Sequence, residues 1–70
     1  MVKTYNVVSK YLDLRTRNEV RFTDKYTISS NDPTNLYTRI AAKASNCRIL
    51  GIDFIEVEMI EFVEEAEEQF

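Results

Sequence analysis

Between residues 19 and 28 apolar and polar positions alternate, which predicts a β-strand. Val20, Phe22, Tyr26 and Ile28 fall on one face, interrupted only by Asp24. Glu19, Arg21, Thr23, Lys25 and Thr27 fall on the other, which reads as solvated. Residues 3–14 hold Tyr5, Val7, Val8, Tyr11, Leu12 and Leu14, aromatic and β-branched content that also favours a strand, although neither parity is clean. The polar Arg15-Thr16-Arg17-Asn18 between them predicts a hairpin turn, with Asn18 suited to a left-handed backbone.

Ser29-Ser30-Asn31-Asp32-Pro33 reads as a helix start, with Asp32 capping the first turn and Pro33 in the first helical position. Leu36, Ile40, Ala44 and Cys47 follow at helical spacing, flanked by Tyr37 and Ala41, and Asn46 is the expected stop. Residues 49–63 read two ways. As a strand, Ile55, Val57 and Met59 point inward, while Glu56 and Glu58 share the other parity with Phe54, Ile60 and Phe62. As a helix, Ile55, Met59, Phe62 and Ala66 fall three to four apart. The β-branched content favours a strand to Phe62, then a short acidic helix or frayed tail over residues 64–68, with Gly51 as a bulge or bend near the strand start.

The expected architecture is therefore α+β, in the order ββαβ: a three-stranded antiparallel sheet, one helix packed across it and a short acidic C-terminal tail. Residues 1–70 make a single domain with a thin core. Phe54, Ile60 and Phe62 are left without cover by this arrangement, so a homodimer interface is expected there.

Charge changes the picture most. Residues 1–48 carry nine bases against four acids, a balance of +5. Residues 49–70 carry eight acids and no base, a balance of −8, so the net −3 conceals a bipolar chain. The absence of histidine and the single cysteine, Cys47, remove His-based catalytic devices, multi-cysteine metal sites and intramolecular disulfides. Cys47 reads as a small apolar group ending the helix stripe. A run of exposed carboxylates is not an enzyme site, and no cofactor or metal is expected. No apolar run is long enough for a signal peptide or a membrane span, and a reducing cytoplasm is the expected setting.

Three readings of the charge compete. The plainest is a solvated acidic face, although such faces ordinarily mix both signs. In the second, the acids Asp53, Glu56, Glu58, Glu61, Glu64 and Glu65 bind a basic protein in place of nucleic acid. Alternate strand positions stand about 6.6–6.8 Å apart, against one phosphate per about 3.4 Å of axis on each strand of B-DNA. The third is the reverse, a nucleic-acid-binding hairpin using Arg15, Arg17, Arg21 and Lys25, with Tyr11 and Tyr26 as stacking surfaces.

The acidic stretch Asp53-Phe54-Ile55-Glu56-Val57-Glu58-Met59-Ile60-Glu61-Phe62-Val63-Glu64-Glu65, with the small size, low pI and ββαβ order, resembles the small acidic DNA-mimic early proteins of lytic Bacillus phages. The likeness is to the kind that inhibits the host histone-like protein HU. The resemblance implies a dimer that occupies the DNA-binding surface of HU in the host cytoplasm and nucleoid, with no direct contact to nucleic acid. The +5 balance of residues 1–48 departs from a uniformly acidic mimic and favours one localised acidic face.

Overall fold

The computed structural model describes residues 1–67. The chain runs β1 (Val2–Asp13), β2 (Glu19–Ser29), α1 (Leu36–Ile49) and β3 (Ile52–Ala66). The strands form one antiparallel sheet in the order β2-β1-β3, and α1 lies on one face of it: an α+β fold in the expected order ββαβ. Among the described residues no helix is long and apolar enough to cross a membrane.

β1 is central, which explains its unclean parity. α1 covers one face, and on the open face side chains from both neighbouring strands flank Val8, Lys10 and Leu12 and leave them half-buried, so neither parity is uniformly polar. Val7, Ser9 and Tyr11 are buried on the helix side, and Thr4 is buried on the other, where its hydroxyl meets that of Thr27 at 3.2 Å. β2 is an edge strand and keeps its alternation, with Val20, Phe22, Asp24, Tyr26 and Ile28 all half-buried toward α1. Asp24 is tolerated on that face because Lys43 of α1 donates a hydrogen bond to it. The same ammonium lies 4.7 Å from the centre of the Phe22 ring. Among the described residues the buried apolar side chains are few: Val7, Tyr11, Ile40 and Cys47.

The turns differ in detail from expectation. In the hairpin, the Asp13 N–H donates to Asn18 O and the Arg17 N–H donates to Asp13 O, at 2.9 and 2.7 Å. That closure puts the left-handed backbone on Arg17 (φ 65°), not on Asn18. The helix begins at Leu36, with Asn35 as its cap, because Asp32 is otherwise engaged. Asp32 accepts from the Thr34 N–H at 2.8 Å and the Thr34 hydroxyl at 2.6 Å, and Arg39 donates to it at 2.7 Å. These donors hold the Asp32 carboxyl down at about 2. Asn35 Oδ1 accepts the Thr38 N–H at 2.9 Å, satisfying an otherwise orphaned helix donor.

Asn46 does not stop the helix, which continues to Ile49. The stop is Gly51, whose left-handed backbone (φ 81°) lets its N–H reach Arg48 O at 3.0 Å. Of the two expected roles it takes the bend, at the turn between α1 and β3, and not the strand bulge. A Cβ at Gly51 would meet nothing within 4 Å, so alanine there tests backbone strain alone. Gly51→Ala should cost about 1–2 kcal/mol, read as a lower urea midpoint at unchanged slope.

The C-terminal segment is a further correction. Glu64, Glu65 and Ala66 belong to β3 and pair with Thr4, Lys3 and Val2, so the acidic stretch through Ala66 is neither helix nor frayed tail. β1 extends far enough to offer main-chain partners to the whole stretch, and those bonds outweigh the helix preference of a short glutamate run. Glu67 comes next, without regular structure, and Glu68 lies outside the described residues.

Candidate functional site: the acidic strand and its two faces

Three β3 residues, Ile55, Glu58 and Val63, have no partner in the β1 register and are β-bulges. Each bulge flips the parity of the residues beyond it. Residues opposite one another in an antiparallel pair share a face, so the register assigns the faces directly. Phe54, Val57, Ile60 and Phe62 pair with Tyr11, Ser9, Val7 and Tyr5 on the helix side. Asp53, Glu56, Met59, Glu61 and Glu64 pair with Leu12, Lys10, Val8, Asn6 and Thr4 on the open side.

This corrects the expected inward row. Only Val57 of it faces α1, while Ile55 and Met59 are each 44% exposed. Phe54, Ile60 and Phe62 are not on the face of Glu56 and Glu58 but on the opposite one. There Phe54 meets Tyr11 edge-on (centroids 5.5 Å apart) and Phe62 meets Tyr5 likewise (5.7 Å). All three remain partly exposed, because α1 covers only part of that face. Beside Ile60 it leaves an open groove of about 720 Å³, lined also by Tyr5, Ile28, Leu36 and Tyr37.

On the open side, Glu56 and Glu64 sit opposite Lys10 and Thr4, six residues apart on β1, or about 20 Å. Glu58, at its bulge, joins this face: the Arg21 guanidinium reaches from β2 across β1 and donates to both its oxygens, at 2.6 and 3.3 Å. Lys10 lies 3.3 Å from Glu56. Both pairs are solvent-accessible and therefore weak. Glu61 and Glu64 form no ion pair among the described residues. The structure thus gathers Glu56, Glu58, Glu61 and Glu64 on one face. It separates Glu65, which faces the helix side opposite Lys3. Asp53 stands at the far end, in a shallow groove with Ala44, Ser45, Arg48 and Phe54.

The basic hairpin is less available than its composition suggests. Arg21 is held by Glu58, and Arg15 lies 3.5 Å from Asp13. Tyr11 is 1% exposed and Tyr26 is half-buried toward α1, so the expected stacking surfaces face inward. Arg17 and Lys25 remain exposed. Charge balance alone allows Arg21 to pair with the acidic segment, but it does not say which glutamate Arg21 meets or that Lys10 joins in. Their role depends on long-range register, and no local sequence signal marks it.

Among the described residues no group of three or more His, Cys, Asp or Glu side chains is placed to hold a metal ion. No protein-family model, curated protein or solved structure matches the chain.

Proposed function

We propose that the chain is an acidic decoy that binds a basic DNA-binding protein and blocks its access to DNA, the histone-like protein HU being the partner the resemblance implies. One observation supports this above the rest: the bulges of β3 bring four glutamates of mixed parity onto a single open face, along a strand without lysine or arginine. Glu61 and Glu64 sit opposite Asn6 and Thr4, a step of about 6.8 Å, or two base-pair rises of B-DNA. Such a face displaces counterions from a basic groove as phosphates do, so binding should weaken steeply with salt. The basic-hairpin alternative has less support, since two of its four cations are engaged internally and its tyrosines face inward.

Mobility shifts separate the two readings. The chain alone should leave duplex DNA unshifted at moderate salt, and added to a preformed HU–DNA complex it should release the DNA. Saturable binding to DNA that is lost on Arg17→Ala with Lys25→Ala would overturn the decoy reading.

A second copy is part of the same proposal. The helix-side strip of Phe54, Ile60 and Phe62 lies opposite the four gathered glutamates, so two copies can meet there with little acid-on-acid contact. Sedimentation equilibrium at micromolar concentration should give about twice 8.2 kDa. Phe62→Asp, which puts a charge into an apolar contact, should shift the population to monomer. A wild-type monomer would remove the dimer from the proposal.

A further inference from the structure

The sheet ends on β3, whose outward edge has no partner strand among the described residues. An open edge presents unpaired N–H and C=O groups to any extended chain. Bulges at Ile55, Glu58 and Val63 interrupt that row, and the longest stretch between them is Met59-Ile60-Glu61-Phe62. Its apolar side chains are open on both faces, with Met59 44%, Ile60 39% and Phe62 53% exposed. Every charged side chain on β3 is acidic.

We propose that residues 59–62 are a strand-addition site for a basic extended segment in which lysine or arginine alternates with apolar residues. Main-chain pairing along this stretch supplies affinity, and alternation of the guest supplies specificity. On one face the guest's apolar side chains meet Ile60 and Phe62. On the other its cations meet Glu61, with Glu58 at one bulge and Glu64 just beyond the other. A second copy is the poorer guest at this edge. Self-pairing would lay two acidic strands side by side with no cation between them, and facing like charges destabilise a strand pair. The inference rests on the reading that the partner is basic, and it adds a component of binding that salt does not screen.

Two peptides of equal charge test it: a capped octapeptide of alternating lysine and valine, and the same composition with every second residue of D configuration, which in an extended form puts lysine and valine on the same face and loses the alternation. At low salt the first should bind at least about tenfold more tightly than the second. Hydrogen exchange of the complex should show new protection at backbone amides within residues 59–62. Equal binding of the two peptides, no binding of the first, or protection elsewhere on the sheet would each overturn the inference. The basic-partner reading is checked separately with Glu61→Gln plus Glu64→Gln. That pair should weaken both peptides, and unchanged binding of both would defeat the reading instead. A self-associating chain already protected at residues 59–62 without peptide would also overturn the inference, in favour of a second copy.

Discussion

Tyr11→Ala should abolish cooperative unfolding at room temperature, or bring the urea midpoint close to zero. Tyr11 is 1% exposed and joins all three strands: it sits on β1, packs edge-on against Phe22 of β2 at 5.1 Å, and against Phe54 of β3 at 5.5 Å. Removing a buried aromatic ring costs about 3–5 kcal/mol. A domain of this size holds roughly 4–10 kcal/mol in total, and few other buried side chains remain to compensate. Tyr11→Phe separates ring from hydroxyl. It keeps the packing and removes only the hydroxyl, so it should cost about 1 kcal/mol.

The hydroxyl also sets an alkaline limit. Burial raises Tyr11 to about 12, the nearby Cys47 adding to the effect. A folded-state value above the ordinary 10 means that the stabilising contribution is complete below pH 10 and is lost as pH rises toward 12. Tyr26 is raised too, again chiefly by burial. Wild-type stability should therefore fall between about pH 10 and 12, and Tyr11→Phe should reduce that slope without removing it. Denaturant midpoints across this range, in both proteins, provide the check.

The sequence reveals the fold where structure is local and conceals it where register decides. β2 is legible because an edge strand with one buried face keeps a clean period of two. The helix is legible from Leu36, Ile40, Ala44 and Cys47, but not its ends: Asp32 and Asn35 are both good caps, and Asp32 is taken up by Thr34 and by Arg39, seven residues away. β3 is ambiguous for a definite reason. Bulges at Ile55 and Glu58 turn the strand's step of two into steps of three, so that Phe54, Val57 and Ile60 share a face. A step of three is also helical, which is why both readings fit these residues. The same bulges decide which acids stand together. The density of the acidic site was visible in the sequence, but its membership was not: Glu56, Glu58, Glu61 and Glu64 on one face, Glu65 on the other.

Converting Glu56, Glu58, Glu61 and Glu64 together to glutamine should weaken binding of a basic partner by roughly ten- to a thousandfold. Exposed carboxylates contribute a few tenths to about 1 kcal/mol each when paired, and each 1.4 kcal/mol is a factor of about ten. The four are not equivalent. Arg21 and Lys10 already partly neutralise Glu58 and Glu56, so a partner gains less at those positions. Glu61 and Glu64 have no such competitor among the described residues, and Glu61→Gln with Glu64→Gln should account for most of the loss. Glu65→Gln, on the opposite face, should change little. The quadruple variant should keep its fold, because the pairs it loses are exposed and weak and neutralising the face removes self-repulsion. Its residual binding should depend less on salt than that of the wild type, since fewer counterions are exchanged. Competition for an HU–DNA complex across a salt series measures both quantities. A quadruple variant that folds normally and still releases DNA at the wild-type concentration would show that the acidic face is not what the partner recognises.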